Sequence, residues 1–378
     1  TYWILISFSS LYLLDRGFTN TQIGLLLGIA GLTAAILQPF VGAKGDHLKV
    51  LSLRQFTSLP IAAMILCGVG LFLVPAKPVQ AALYMVLLVL LQLLTPLIYS
   101  LGMDCLNNHI ELNFGLARGI GGGTYALASA VCGSLAAALG ARVIPLVLVV
   151  AVALMLAFTF TFRQGGPVKS TLPKPDALPQ SDGTPFLKKY PQVLPLLIGV
   201  ILLYTSHNVI MNFPYQIVRS LGCGSAEMGH YLTLQSLMDI PAMVVFSLLL
   251  KRASSRAWVR LTGISFFLHA LLTWLAPNLP FLMVVQVFEM SGYALYSVSS
   301  VYFVNEMVDL CDRVQGQTYF TMANTIGIVL SSVLGGRLLD LGGASAALCL
   351  ATVTGAAGMV ILWILLRRKS LRPATNAA

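Results

Sequence analysis

Twelve apolar runs, most of them about 20 residues long, constrain the fold of this chain more than any other feature. A helix needs about 20 residues to cross the roughly 30 Å of hydrocarbon in a bilayer, and only short polar segments separate most of these runs. Only 10% of the 378 residues are charged, against roughly 25% in soluble domains. The sequence therefore predicts an all-α membrane protein with twelve transmembrane helices.

The predicted helices, numbered here as spans 1 to 12, fall into two groups of six. They lie at residues 1–14, 22–43, 52–74, 79–106, 114–140, 143–162, 192–218, 225–250, 257–276, 279–305, 316–338 and 344–366. Span 1 is short, which predicts that the chain opens within a truncated helix. The segment 163–191, rich in Pro, Gly, Ser and Lys, is predicted to be a flexible linker. It separates six-helix bundles at 1–162 and 192–366, and a tail follows at 367–378.

Short matching motifs indicate that the two halves are related. "GFTNTQIG" at 17–24 aligns with "GCGSAEMG" at 222–229, and each motif opens the second span of its half. "TYALASAVCG", which ends at Gly133, aligns likewise with "TYFTMANTIG", which ends at Gly327. Duplicated bundles are typical of transporters, so we expect two pseudo-symmetric halves in parallel topology.

The net charge of +10 is explained by membrane topology rather than by nucleic-acid binding, because the basic residues are spread over short segments between the spans. With the linker in the cytoplasm, the opposite loops hold few basic residues, namely Arg16, Lys77, Arg142 and Arg219. Most of the others then lie on the linker side, including Lys44, Lys49, Arg54, Lys251, Arg252, Arg256, Arg260, Arg313, Arg367, Arg368, Lys369 and Arg372. The positive-inside rule thus predicts a multi-pass protein of the plasma or inner cell membrane, with both termini cytoplasmic.

The six cysteines predict neither a disulfide framework nor a zinc site. They are scattered, form no CxxC pair and lie mostly inside apolar runs, which is typical of buried packing. We expect no metal site and no cofactor other than protons as a coupling ion.

Glu289 is the most conspicuous charged residue, because it lies about ten residues into span 10, or roughly 15 Å from its start. A charge near the bilayer centre costs at least about 2.5 kcal/mol. Helical spacing places a polar stripe on the same face: Gln286, Tyr293, Tyr296 or Ser297, and Ser300. The stripe favours a water-accessible cavity, although a Glu that only holds neighbouring helices together is the alternative.

Span 7 carries a similar stripe of Tyr204, Asn208, Asn212 and Tyr215, with His207 beside it. His207 could bind a proton or a ligand, since the ordinary imidazole pKa is about 6.5, or it could be a buried structural histidine. His269, the sole histidine of span 9, is interpreted as structural.

Span 8 holds Gln235 and Asp239 one turn apart, followed by Pro241. Proline removes a backbone hydrogen bond, so Asp239 is either a proton or ligand site or an acid that satisfies the freed backbone groups.

Asp104 and Arg118 form a candidate ion pair, because a short hairpin between spans 4 and 5 brings them to similar depth. Arginine presents a forked donor suited to carboxylates and hydroxyls. The pair is interpreted as a substrate clamp, with an interhelical brace as the alternative.

Together the twelve spans, the basic linker and "QPFVGAKGDHLK" after span 2 resemble the major facilitator superfamily. "NFGLARGIGGGTYAL" is similar to span 5 of the proton-symporter branch that includes the lactose and phenylpropionate permeases, and there Arg118 takes the place of a sugar-binding arginine. "VVQVFEMSGYALYSVSSVYFV" resembles span 10 of that branch, with Glu289 at the position of a histidine in lactose permease. His207 matches a span 7 histidine of the phenylpropionate-like members.

The resemblance implies a secondary transporter, not an enzyme, which works as a monomer and rocks its bundles around a central cavity. The expected solute is a small polar organic molecule, such as a sugar, nucleoside or aromatic acid, moved in symport with protons. Glu289 and Asp239 are then the proton-coupling residues. The expected substrate-binding residues are Asp104, Arg118, His207, Asn208, Asn212, Gln286 and Tyr293.

Two alternatives keep the same fold. The first is an exporter that exchanges solute for protons; exporters of the superfamily commonly carry a Gly-Pro-rich motif on span 5, and "GGGTYALASAVCGSL" has the glycines without a proline. The second is a receptor that binds a ligand without transporting it. A membrane enzyme is disfavoured, because the loops offer only isolated candidates such as His47, His109 and His230.

Overall fold

The computed structural model describes residues 2–46, 53–107, 114–161, 185–249, 253–309 and 312–367, which are almost entirely helical. The helices of the first half are α1 (Tyr2–Ser7), α2 (Ser9–Asp15), α3 (Asn20–Asp46), α4 (Leu53–Leu73), α5 (Lys77–Asn107), α6 (Phe114–Leu139) and α7 (Ile144–Thr161). Those of the second half are α8 (Phe186–Lys189), α9 (Val193–Asn212), α10 (Pro214–Ser220), α11 (Ser225–Leu249), α12 (Ser255–Trp274), α13 (Leu279–Val285), α14 (Val287–Glu289), α15 (Leu295–Met307) and α16 (Arg313–Arg367). A 3-10 helix, Ala141–Val143, precedes α7, and a π-helix, Met290–Ala294, joins α14 to α15.

These helices follow the predicted spans in order. Span 1 corresponds to α1 and α2, span 10 to α13 through α15, and spans 11 and 12 to the two parts of α16. The helical path of α16 is interrupted at Gly342 and Gly343, and Gly343 has a φ of 68° that favours glycine. Within the described ranges, eight helices are long and apolar enough to cross a membrane, and one of these is the double span in α16.

Large apolar side chains cover the outside of the bundle. Ile36, Leu66 and Phe158 are 66%, 73% and 72% exposed. In water such surfaces would favour aggregation, whereas in a bilayer they contact acyl chains of the same polarity. The outer surface is therefore that of a protein surrounded by lipid.

Each half packs mainly within itself. In the first half α4 packs against α5 and α7, and in the second half α16 packs against α9 and α12. Two buried tyrosines link helices of the first half: the Tyr12 hydroxyl donates to the Leu71 carbonyl at 3.1 Å, and the Tyr84 hydroxyl donates to the Leu5 carbonyl at 2.8 Å. The two rings stack with centroids 5.9 Å apart. These bonds satisfy both hydroxyls without water.

The two bundles meet along α3 with α16 and along α6 with α11. Glycines allow the backbones to approach closely: a Cβ built on Gly24 would lie 2.0 Å from the Ser332 carbonyl oxygen, and one on Gly229 would lie 2.7 Å from the Ser129 carbonyl oxygen. Small residues permit this packing in membranes. Gly24 and Gly229 lie one to two turns from the helix ends opposite the linker, so the bundles meet in that half of the membrane.

Asp340 fixes this junction at the end of the bundles opposite the linker, which we call the far end. Its carboxylate accepts hydrogen bonds from the backbone N–H and side-chain amide of Asn20, at 3.0 and 2.8 Å, and from the backbone N–H and hydroxyl of Thr21, at 2.7 and 2.6 Å. Asn20 and Thr21 open α3, where the helix dipole also favours a negative charge. Gln216 of α10 donates to the Asn20 side chain at 2.8 Å, which adds a second bond between the bundles.

At the other end, a charged cluster holds the end of the linker against the second bundle. The Lys189 ammonium lies 2.7 Å from Asp312 and 3.1 Å from Asp309, and the Tyr190 hydroxyl bonds to both carboxylates at 2.9 Å. The hydrogen bond that the Lys189 ammonium donates to Asp312, with a second one to Asp309, holds the pKa of Lys189 well above its usual range. The chain therefore enters α9 from a fixed position.

We expect Asp312→Asn to destabilise the second bundle by about 2 kcal/mol, because a hydrogen bond to a charged group is worth about 1.5–3 kcal/mol. The Asp312 side chain is 5% exposed and is the closer of the two partners of Lys189. Thermal unfolding in detergent should show a lower apparent melting temperature. Asp309→Asn is the matched control, because the Asp309 side chain is 52% exposed and Lys189 would keep Asp312. Equal effects of the two substitutions would contradict this assignment.

Candidate functional site

Glu289 lies at a break in span 10. The helix changes at Gln286, the residue between α13 and α14, and a π-helix begins directly after Glu289. A π-helix adds a residue to one turn and is frequent at functional sites. Counted from the start of α13, Glu289 lies roughly 15 Å into the span, which is near mid-membrane. The structure therefore places the carboxyl group at an irregular turn deep in the bundle.

Two histidines flank this carboxylate. His207 Nδ1 and His269 Nδ1 each lie 3.5 Å from Glu289 Oε2, and the three side chains are only 1–2% exposed. They come from three helices, α9, α12 and α14. Breaking a buried ion pair costs about 3–5 kcal/mol, so charges on these groups are interdependent. We refer to His207, His269 and Glu289 as the His-Glu-His cluster.

Aromatic rings enclose the cluster. The half-buried Tyr293 ring stacks on His207 with centroids 4.9 Å apart and an interplanar angle of 5°. Phe266 meets His207 edge-on at 5.4 Å, and Tyr204 meets Tyr296 edge-on at the same distance. Offset stacking and edge-to-face contacts are the favoured arrangements of aromatic rings. These contacts limit how far the His207 ring can turn.

Two buried amides lie next to the cluster. Gln235 of α11 interacts with the Glu289 carboxylate. Gln286, which is fully buried, donates to the Leu282 carbonyl at 3.2 Å. The Oε1 atoms of both amides lack a hydrogen-bond partner, as do His207 Nδ1 and Glu289 Oε2. Unpaired buried polar atoms are rare in native proteins, so their concentration here marks a site that can receive a ligand or an ion.

Two of the predicted substrate residues of α9, Asn208 and Asn212, are buried but already bonded. Asn208 donates to the Tyr204 carbonyl at 2.9 Å, and Asn212 donates to the hydroxyls of Ser332 and Ser331 at 2.9 and 3.4 Å. Asn212 thus connects α9 to α16. Substrate binding by either residue stays a prediction.

The other predicted residues are Asp239 and the pair Asp104 and Arg118. Asp239 is half-buried on α11, one turn beyond Gln235. Asp104 and Arg118 belong to α5 and α6, but their side chains lie outside the described part of the chain. The predicted ion pair between them therefore also lies outside it. The proton-coupling role of Asp239 and the clamp role of the pair stay predictions.

His269 was not predicted to belong to the site. It was interpreted as structural because its helix is otherwise apolar, yet it lies as close to Glu289 as His207 does. A signal was present: Thr262, Ser265, His269 and Thr273 recur at spacings of three to four, and all four are buried. Such a polar stripe indicates a helix face directed at polar neighbours rather than at lipid.

The cluster can exchange protons or bind a cation. The ordinary pKa of imidazole, about 6.5, lies near neutral pH, a carboxylate can also take up a proton, and both groups offer lone pairs to a metal ion. Ligand atoms of the three residues all lie within 4.8 Å of one another. Beside the cluster, the backbone hydrogen bonding of span 10 changes from α-helical to π-helical, and the helix can change conformation at this point.

Several solved structures share the fold of this chain over nearly its whole length. The chain aligns with a mutant of the nucleoside transporter NupG at a TM-score of 0.80 and 14% identity, covering 98% of this chain and 96% of that one. A second NupG structure gives 0.72 and 12%, covering 97% and 96%. A bacterial homologue of the iron transporter ferroportin, in an inward-facing state, gives 0.67 and 15%, covering 97% and 95%. At such identities the likeness establishes the fold alone, and it confirms the predicted major facilitator fold.

The family comparison extends over most of the sequence. The model described as the MFS_1 like family matches residues 4–349. Among curated proteins, none matches this sequence significantly. The expected kinship with the lactose and phenylpropionate permeases stays a prediction within the superfamily. Since the family model spans most of the chain and the fold extends over nearly all of it, the chain belongs to the MFS_1 like family of major facilitator superfamily transporters.

Proposed function

We propose that the protein imports a small polar organic solute together with protons, and that the His-Glu-His cluster is its proton-coupling site. The observation that carries this proposal is the position of Glu289, buried near mid-membrane with two imidazole nitrogens 3.5 Å from one carboxylate oxygen. A buried carboxylate is tolerated when it is paired or protonated. The cluster can therefore bind or release a proton, and so change its charge, without a large rearrangement.

The packing of the bundles supports an alternating-access cycle. Helices α3 and α16, and α6 with α11, close the half of the membrane opposite the linker. The contacts at the far end are hydrogen bonds and small-residue packing, which can be broken and reformed as rigid bundles rock. In the proposed cycle the site opens alternately to the linker side, which we assign to the cytoplasm, and to the far end.

The solute class is inferred from the chemistry around the cluster. Tyr293, Tyr204 and Tyr296 offer aromatic faces, and Gln235 and Gln286 offer amides, all within the second bundle. Rings of sugars, nucleobases and aromatic acids stack on such faces, and their polar groups bond to amides. The fold shared with a nucleoside transporter favours testing nucleosides first.

External pH measurement on weakly buffered cells that express the full chain tests the proposal. Pools of nucleosides, sugars and aromatic acids are added in turn, with cells that lack the protein as the control. We expect alkalinisation of the medium with one pool, because symport carries protons inward. Acidification of the medium would mean that the protein exchanges solute for protons instead of carrying both inward. If no pool changes the pH, proton coupling is contradicted, and labelled-solute uptake then decides between an uncoupled carrier and a receptor.

A further inference from the structure

The His-Glu-His cluster has the composition of a transition-metal site. No metal site was predicted from the sequence, because the scattered cysteines form no zinc-binding pattern. Folding brings together two imidazoles and one carboxylate from α9, α12 and α14. Imidazole suits zinc, iron, nickel and copper, and a set of two histidines and a carboxylate leaves coordination positions open.

The spacing of the donor atoms matches coordination better than direct hydrogen bonding. Ligand atoms at about 2.0–2.1 Å from a tetrahedral zinc ion lie roughly 3.4 Å apart. Glu289 Oε2 lies 3.5 Å from each histidine Nδ1. Charge-assisted hydrogen bonds between nitrogen and oxygen are shorter, at about 2.7–2.9 Å. A rotation of the His269 ring that brings its nitrogen nearer to that of His207, from a separation that is within 4.8 Å, would complete three-ligand coordination.

The surroundings of the cluster also favour a cation. His207 Nδ1 and Glu289 Oε2 have no hydrogen-bond partner, and the residues are at least 98% buried. The amide oxygens of Gln235 and Gln286 are unpaired as well. Two amide oxygens and a carboxylate oxygen are all acceptors, so a positive ion would satisfy groups that the protein alone leaves without a hydrogen bond.

We propose that His207, His269 and Glu289 bind one divalent first-row transition-metal ion, with zinc as the ion that the geometry fits best. The half-buried Tyr293 stacks on His207 and belongs to the π-helix that follows Glu289, so both lie next to the proposed metal site. This inference does not rest on the proton-coupled function, because a metal ion can bind to the resting protein without solute or gradient.

Direct binding to the purified protein tests the proposal. The full chain, freed of any affinity tag and of bound metal, is titrated with Zn²⁺ by calorimetry and with Co²⁺ by visible absorption. We expect one equivalent to bind, with the intense absorption of tetrahedral Co²⁺, and Zn²⁺ to raise the melting temperature, because a ligand of the native state stabilises it. Glu289→Gln, which nearly preserves side-chain volume, and His269→Asn, which removes the imidazole, should each weaken binding at least about 10-fold, since even changes outside the ligand set cost about 10–100-fold.

His230→Gln is the matched control, because His230 is an exposed histidine on α11 and lies outside the cluster. It should leave binding unchanged. The inference is overturned if the wild type binds no equivalent of either metal, or if Glu289→Gln and His269→Asn bind as tightly as the wild type while remaining folded by circular dichroism. Since no solute or gradient is present, a negative result here leaves proton-coupled transport to its own test.

Discussion

Replacing Glu289 by glutamine should abolish solute accumulation driven by a proton gradient while leaving solute exchange intact. Glutamine has nearly the same shape but cannot take up or release a proton. A gradient of one pH unit can sustain about tenfold accumulation with one proton per solute molecule, since one unit corresponds to about 1.4 kcal/mol. We expect the accumulation ratio of Glu289→Gln to fall to about one. Uptake of labelled solute into proteoliposomes, with and without an imposed pH gradient, measures this ratio.

The control for this variant is Glu227→Gln. Glu227 accepts a hydrogen bond from the Gly224 backbone N–H at 2.9 Å near the start of α11, and a glutamine oxygen can accept the same bond. It should accumulate solute like the wild type. Counterflow, in which labelled solute exchanges for unlabelled solute without a gradient, separates coupling from folding. If Glu289→Gln still accumulates solute, Glu289 is not the coupling group; if it also loses counterflow, its role includes binding or folding.

The helices could be predicted from the sequence because the bilayer fixes their length and their apolar character. Span 9 was expected at 257–276 and α12 is Ser255–Trp274, while span 2 was expected at 22–43 and α3 is Asn20–Asp46. Within hydrocarbon every backbone polar group must bond inside its own helix, so a long apolar run has few other conformations. The break of span 10 into α13, α14 and a π-helix was not predicted, since a change of hydrogen-bond register leaves little trace in composition.

The candidate site could be predicted in part. Glu289 and His207 were found because ionisable residues are costly in a membrane and are retained where a partner or a function exists. Their contact was not predicted, and neither was the contribution of His269, because helical periodicity identifies a face without identifying the helix opposite it. That pairing depends on how α9, α12 and α14 pack, which follows from tertiary structure alone.

Adding one methyl group at Gly24 should have the largest effect on the contact between the bundles. A Cβ there would lie 2.0 Å from the Ser332 carbonyl oxygen, well inside van der Waals contact. The obstacle is backbone, which cannot rotate away as a side chain could, so α3 and α16 must separate. Overpacking costs about 1–3 kcal/mol, so Gly24→Ala should shift the ratio of closed to open far ends by at least about fivefold.

Spin labels at Ala76 and Pro277 would report this change, because both residues are exposed in loops at the far end, one in each bundle. In a background without native cysteines, electron paramagnetic resonance should show a longer distance for Gly24→Ala than for the parent. Gly31→Ala on the same helix is the control, since the nearest atom to its Cβ is a Val329 methyl at 3.9 Å. Equal distance distributions in the parent and both variants would mean that the contact between α3 and α16 does not close the far end. A longer distance in Gly24→Ala alone would mean that the contact between α3 and α16 closes the far end. Both variants add the same methyl group to α3, but only the one at residue 24 would clash with backbone atoms.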